Sequence, residues 1–327
     1  MKTGFLLLML LVCTSSSIPT DADGAGLKKA SLITHWSPQA QFAGYYVALD
    51  KGIYRKHGID LTIIPGGPNQ SPTKLLQNGT ADFAVLWLST ALQHYSASLK
   101  LTNVAQLVQQ TSMMLIARKT SGIGTPADMQ GRKVGMWKGD FAITPQVFFN
   151  KYGLRVREIP LSYTVNLFLR GGIDVTSAMW YNEYHTIINA GVDPGELTLF
   201  FLKDYGINFP EDGLYTLEKT LHRDPALVDS FAKASLEGWN YAFEHPQEAL
   251  DIVIKQMKAE NIPANRSHQK WMLDRMRDLI MPRHGHGEVG QLSSSDYEAV
   301  GTALLNQGVV SSFPRFEDFI GGPHARK

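Results

Sequence analysis

Between Ser31 and Leu88 the chain alternates short apolar runs with stretches of helical periodicity. Ser31–Thr34 (SLIT) reads as a strand, followed by an aromatic turn, His35–Trp36–Ser37–Pro38. Ser37 and Pro38 make a helix start, with Ser as N-cap and Pro at the first helical position. Phe42, Tyr45, Tyr46, Leu49 and Ile53 then recur at helical spacing, and Gly58 closes the segment as a C-terminal glycine. Asp60–Ile64 (DLTII) is a second strand, broken by Pro65–Gly66–Gly67–Pro68. Ser71–Pro72 repeats the cap and predicts a helix to Asn78, stopped by Gly79; Asp82–Leu88 is a third strand, with Ser89 placed to cap the next helix. This β-α-β-α-β-α order predicts a parallel sheet with helical crossovers.

A similar pattern restarts downstream. Arg132–Trp137, Arg157–Pro160 and the apolar Val175–Met179 read as strands, with helices over Thr144–Tyr152 and Asn166–Gly171. Two α/β units imply two lobes. Met113–Lys119 and Gly213–Leu217 are β-runs placed to cross over and back between them. From Asp224 onward the pattern is helical: Asp224–Pro225 opens a helix carrying Leu227, Phe231, Ala234, Leu236 and Trp239, His245–Pro246 interrupts it, and Glu248–Ala259 resumes. Trp271–Ile280 and Asp296–Asn306 complete the set, and with no sheet of their own these helices are expected to pack on the first lobe.

Charge and composition narrow the function classes. The chain has 327 residues and a formal net charge of +1, so it carries no basic field for nucleic acid. Lys2 followed by the apolar Phe5–Val12 has the form of a secretion leader, too short for a membrane-spanning helix. The single cysteine, Cys13, sits at the end of that run, where a lipid anchor would attach, although Val12 is larger than the residue such a site prefers. Simple cleavage near 17–22 is the alternative, and in both cases the mature chain has no cysteine pair and depends on core packing.

The segments WSPQAQFAGYYVALDKGIYRKHGIDLTI, LLQNGTADFAV, MQGRKVGMW and MWYNEYH, taken in order, resemble the periplasmic solute-binding proteins of ABC importers. The branch they are most similar to is related to thiamine-pyrimidine synthase and includes binders of thiamine pyrimidine precursors. The resemblance runs from about Ser31 to about Glu260. It implies a two-lobe α/β periplasmic-binding-protein fold (type II), each lobe a mainly parallel sheet with flanking helices, closing on a ligand about a hinge. The expected organisation is a leader over 1–23, a discontinuous first lobe from 30–117 and 218–320, and a second lobe over 118–217. An ABC permease in the inner membrane is the implied protein partner, and the location is periplasmic or otherwise extracytoplasmic. The synthases carry a pyridoxal-phosphate lysine just after the Asp of the third strand and a histidine four residues on; aligned on Ala81–Asp82–Phe83, those places hold Leu86 and Thr90. A Schiff base needs an amine, so no enzyme activity and no cofactor are expected.

Ligands of open α/β sheets sit beyond the carboxyl ends of the strands. Those ends present Trp36, Gln39 and Phe42, then Trp87, Ser89 and Thr90, then Trp137 and Phe141, then Tyr181, Asn182 and Glu183 as ligand-binding candidates. Trp180, at the last of these ends, adds a fourth tryptophan. Tryptophans at strand ends suit a flat heterocycle, each aromatic pair contributing roughly 0.5–1.5 kcal/mol beyond burial; the competing reading is that they fill the lobe cores. Glu183 and Asn182 can read the amino and ring N–H groups of an aminopyrimidine edge, against the reading that Glu183 only caps a helix. Ser89 and Thr90 could hold an anion at a helix start or simply cap it, and Asp140 reads as a solvated loop residue. His284–Gly285–His286–Gly287–Glu288 has metal-binding residue types, but its glycines and the lack of a second cluster favour a solvated loop.

The sequence therefore predicts a solute-binding protein that captures a small, flat, nitrogenous heterocycle. A divergent thiamine-pyrimidine synthase and a ligand-sensing module are the alternatives.

Overall fold

The computed structural model describes residues 26–96, 99–281 and 288–321; the leader, Cys13 and His284–Gly287 lie outside them. Strand β1 (Lys28–Ile33) runs parallel to β2 (Ile59–Ile64) and β3 (Phe83–Trp87). The crossover from β1 to β2 is a 3₁₀ turn at Ala40–Phe42, α1 (Ala43–Asp50) and α2 (Ile53–Lys56), with a break at Gly52. The crossover from β2 to β3 is α3 (Pro72–Gln77), which starts as expected with Ser71 at the N-cap and Pro72 at its first position. After β3 come α4 (Leu88–His94) and β4 (Leu101–Gln106). The second sheet holds β5 (Met113–Arg118), β6 (Lys133–Met136), β7 (Arg157–Pro160), β8 (Val175–Met179) and β9 (Leu197–Phe201), with α5 (Ile143–Lys151), α6 (Asn166–Leu169) and α7 (Glu183–Asn189) between strands.

Strand β10 (Asp212–Leu217) returns to the first sheet, giving the orders β2-β1-β3-β10-β4 and β7-β6-β8-β5-β9. This corrects the reading of 113–119 and 213–217 as crossing strands. β5 is antiparallel to both β8 and β9, and β10 to both β3 and β4, so each is an interior strand of one sheet. Both are buried along nearly their whole length, as apolar runs flanked by partners must be. The chain passes between sheets at 107–112 and 202–211 instead. There Leu107 and Val108 donate to the Asp212 carbonyl, and Ser112 and Thr111 donate to the Glu211 carboxyl.

Two local expectations also shift. The helix expected at Ser37–Pro38 begins at Ala40, with Gln39 still extended (φ −165°, ψ 173°). Residues 34–37 are held as a turn instead: Thr34 Oγ1 donates to the Trp36 carbonyl and accepts from Gly66 N–H, and Gln269 accepts the Ala40 N–H at 2.7 Å, supplying the cap. A Cβ on Gly66 would stand 1.9 Å from the Thr34 oxygen, so only glycine allows this approach. Ser89 is not the cap of α4; Trp87 holds that position and Ser89 is buried in the first turn.

The C-terminal helices are α8 (Glu218–Arg223), α9 (Pro225–Glu244), α10 (Pro246–Ala259), α11 (Arg266–Ile280), α12 (Ser294–Asn306) and α13 (Phe316–Phe319). Asp224 caps α9 by accepting from Leu227 N–H, and the expected break at His245–Pro246 separates α9 from α10. Both pack against α1 of the first lobe. Phe231 stacks on Phe83 at 3.8 Å between ring centroids, tying α9 to β3. α11 touches both lobes: its Gln269 binds the 3₁₀ turn of the first, and its Trp271 Nε1 donates to the Trp180 carbonyl of the second. Among the described residues no helix is long and apolar enough to cross a membrane.

Candidate functional site

A cavity of about 220 Å³ opens where the strand ends of the two sheets face each other. The first lobe contributes His35, Trp36, Gln39 and Gln41 from the segment after β1. The second contributes Trp137 and Phe141 after β6, Leu161–Val165 after β7, and Thr176, Met179, Tyr181, Asn182, Glu183 and Thr186 around β8 and α7. Trp36 is ringed by aromatics of the opposite lobe: Trp137 and Phe141 meet it edge-on at 6.0 Å, and Tyr163 lies tilted at 5.9 Å. Tyr163 is 66% exposed at this mouth.

The polar edge of the cavity is set by the start of α7. Asn182 occupies the N-cap, and Glu183 folds back so that its Oε2 accepts from Met179 N–H at 2.8 Å. Asn182 Nδ2 donates to the other carboxyl oxygen at 3.1 Å. Burial pushes the Glu183 carboxyl above the usual range, opposed by hydrogen bonds from the Met179 backbone and Asn182. The Glu183 carboxyl thus ties the start of α7 to the end of β8 and lines the cavity, rather than capping the helix.

The opposite edge rests on a carboxylate that sequence reasoning missed. The β3–β10 register sets Asp212 against Trp87. Asp212 Oδ1 accepts from Trp87 Nε1 at 3.0 Å and lies 2.9 Å from His35 Nε2, while Oδ2 accepts from Gln41 Nε2 at 3.0 Å. Gln39 Nε2 in turn donates to Gln41 Oε1 at 2.6 Å. Asp212 is 3% exposed, so it acts by holding His35, Gln41 and Gln39 from behind. With Nε2 donating to Asp212, His35 Nδ1 is left as an acceptor; it and Trp137 Nε1 are buried without a hydrogen-bond partner.

Of the predicted site residues, the structure brings Trp36, Gln39, Trp137, Phe141, Tyr181, Asn182 and Glu183 together around this cavity. Trp87 and Thr90 line a neighbouring one with Leu86 and Asp140. Phe42 and Ser89 line neither: Phe42 is buried edge-on to His35 at 5.3 Å, and Ser89 is buried in α4. Trp180 also lies off the cavity, with the Arg275 guanidinium 4.7 Å from its ring centroid. The residues missed were His35, named only as part of a turn, together with Gln41, Asp212 and the 161–165 loop. A polar residue entering an otherwise apolar strand was the one available sign for Asp212.

Behind α7 lies a stacked group. His185 lies on Trp271 at 4.8 Å and on His268 at 5.1 Å, and the two histidine Nδ1 atoms are 2.9 Å apart. His268 Nε2 is 3.0 Å from Asn182 Oδ1, joining α11 to the polar edge of the cavity. Burial first, then the His185 charge, lowers the His268 pKa to about 4. Among the described residues no group of His, Cys, Asp and Glu is arranged to hold a metal ion.

The family model described as NMT1/THI5 like matches residues 39–249. The chain is similar to the formylaminopyrimidine-binding protein of Halalkalibacterium halodurans, 24% identical over 274 residues that cover 79% of each protein. It is also similar to the 4-amino-5-hydroxymethyl-2-methylpyrimidine phosphate synthase of Legionella pneumophila, 26% identical across 69% of this chain and 73% of the relative. In structure it resembles the periplasmic aliphatic sulphonate-binding protein SsuA of Escherichia coli, with a TM-score of 0.67 at 13% identity over 90% of this chain and 97% of that one. The periplasmic-binding-protein fold of this chain is thus shared with solved structures.

Proposed function

Since the chain belongs to the NMT1/THI5-like family, we propose that it is an extracytoplasmic solute-binding protein of an ABC importer, taking a thiamine pyrimidine precursor or similar flat heterocycle. The observation that carries this reading is the cavity between the lobes: aromatic walls from both sides, and the Glu183–Asn182 pair along one edge. Such a site does its work by population shift. Contacts completed only when the lobes meet favour the closed state, and no bond need be made or broken. The name of the Halalkalibacterium relative supports an aminated pyrimidine as ligand. Export by the 1–23 leader and delivery to a permease belong to the same proposal, with the lobe boundaries inside 107–112 and 202–211 rather than at 117/118 and 217/218, because β5 belongs to the second sheet and β10 to the first.

The synthase relative makes an enzyme the second reading. Against it, Leu86 and Thr90, which the resemblance aligns with the synthases' lysine and histidine, line the neighbouring cavity, and no lysine lines either cavity. Incubation with pyridoxal phosphate separates the readings: a lysine adduct with its absorbance band would favour the synthase.

Titration calorimetry of the purified chain with 4-amino-5-hydroxymethyl-2-methylpyrimidine tests the binding reading. Trp36→Ala and Glu183→Gln, the latter keeping an acceptor for Met179 N–H, are expected to weaken binding at least tenfold with little change in urea midpoint. Unchanged affinity in both would remove this site.

A further inference from the structure

Beside the first cavity lies a second compartment of about 210 Å³. The two share His35, Trp36 and Phe141 as a common wall. Phe141 is the part of that wall that the second lobe supplies. It stands on the one-turn 3₁₀ helix Gly139–Ala142 of the second lobe, whereas the rings it meets belong to the first. It approaches Trp87 at 4.7 Å, Trp36 at 6.0 Å and His35 at 6.1 Å between centroids, and it is only partly buried. The two compartments therefore meet at ring-to-ring contacts between the lobes, and this shared wall is where a thin link would join them.

The second compartment differs in chemistry from the first. It offers the faces and edges of Trp36, Trp87 and Phe141, hydroxyls from Thr73 and Thr90, and the Asp140 carboxylate, which His94 approaches at 3.9 Å from the opposite lobe. The carboxylate and imidazole residues lining the two compartments are Glu183, Asp140, His35 and His94, with no lysine or arginine in either. Phosphates and carboxylates are recognised by paired cations and forked donors. Aromatic faces beside a carboxylate suit a neutral or cationic group.

We propose that the cargo is a two-part compound, an inference that rests on the binding function above. A flat, donor-bearing ring occupies the first compartment. A short link past Phe141 joins it to a second ring or hydroxylated group that carries no negative charge.

The test is calorimetry at neutral pH with three probes: 4-amino-5-hydroxymethyl-2-methylpyrimidine, its phosphate ester, and thiamine, in which a similar ring is linked to a hydroxyethyl thiazolium cation. Thiamine is expected to bind at least tenfold more tightly than the bare pyrimidine, and the phosphate ester at least tenfold more weakly. Thr90→Trp, which fills the second compartment, is expected to weaken thiamine at least tenfold more than it weakens the bare ring. Asp140→Asn, a change at a partly exposed position, gives a second readout: a loss of at least threefold for thiamine relative to the bare ring. If the bare ring binds and thiamine binds no better, or the phosphate ester binds best, the two-part cargo is wrong and the binding function stands. If none of the three binds, both fail.

Discussion

Asp212 is the residue whose replacement separates folding from recognition. Its carboxylate accepts from Trp87 and Gln41 and pairs with His35, all in the buried floor of the cleft. Asp212→Ala leaves those donors without an acceptor, and removing one partner from a buried charged network costs about 3–5 kcal/mol of stability. Asp212→Asn behaves differently. The new Oδ1 can still serve His35 and Trp87, but the new NH₂ faces Gln41. Gln41 then turns its oxygen toward residue 212, and its NH₂ meets Gln39, which must turn over in the same way. Every hydrogen bond is re-formed, so the stability cost is about 1–2 kcal/mol, the difference between charged and neutral acceptors. The relay nonetheless ends at the cavity. In the native arrangement the Gln39 NH₂ is spent on Gln41, and the Gln39 oxygen remains for the ligand; in the variant the NH₂ takes its place. Turning one acceptor into a donor against a fixed ligand group costs about 1.5–2 kcal/mol, or roughly tenfold to thirtyfold in Kd. Urea unfolding and calorimetry on both variants check this. A wild-type Kd in Asp212→Asn, or a stability loss equal to that of Asp212→Ala, refutes the amide relay.

Gly66→Ala should destabilise the chain by about 2–3 kcal/mol, because the added Cβ meets the Thr34 oxygen and the turn carrying Trp36 must shift; the urea midpoint measures it, with near-wild-type stability as the contrary result. His268 gives a pH dependence of definite sign: its folded pKa, lowered to about 4, lies below the unfolded value near 6.5, so the unfolded chain binds the extra proton. The contribution is full above about pH 6.5 and is lost as pH falls toward 4, so His268→Gln should flatten the stability profile in that window; an unchanged slope would remove His268 as its source. Glu211 acts in the opposite direction: burial raises its pKa to about 8, against hydrogen bonds from Ser112 and Thr111. The folded state then holds a proton that the unfolded state loses above about 4.5, and stability declines between about pH 4.5 and 8. Glu211→Gln, which mimics the protonated acid, should remove that decline at a cost of about 1 kcal/mol or less, as urea unfolding at pH 5 and 8 would record; a decline that persists in Glu211→Gln would exclude Glu211.

The elements legible in the sequence were those with unambiguous local chemistry. Ser71–Pro72, Asp224–Pro225 and His245–Pro246 mark helix boundaries where the structure has them, and the apolar run Val175–Met179 is β8 over the same residues. β4 was not legible because its sequence, LTNVAQ, reads as polar. Asn103 and Gln106 are buried there with hydrogen-bond partners, some from beyond the strand: Asn103 Nδ2 donates to Gln106 Oε1 at 3.2 Å, and Gln106 Nε2 donates to the carbonyls of Val108 and Glu211. The turn at 34–39 misled because its geometry is decided by Gly66 and Gln269, remote in sequence. The aromatic and Glu183 sides of the cleft could be read from strand ends. The Asp212 side could not, since its meaning arises from a register partner far along the chain. α11 began five residues earlier than its apolar pattern showed, and those extra residues carry the contacts of His268 and Gln269 to both lobes.

The strand order of the first sheet bears on how the chain is made. β4 follows β3 in the chain, yet β10 lies between them, and the pairing of Trp87 with Asp212 spans 125 residues. Among the described residues β4 has no strand neighbour except β10, so this half of the molecule cannot finish its sheet until the whole second lobe has been synthesised. Closing a loop of that length is slow compared with local helix formation. A nascent chain with residues 26–200 already made would still lack the antiparallel strand that joins β3 to β4. For a protein proposed to leave the cytoplasm through a translocation channel, that delay keeps the polypeptide threadable during the interval in which export must begin.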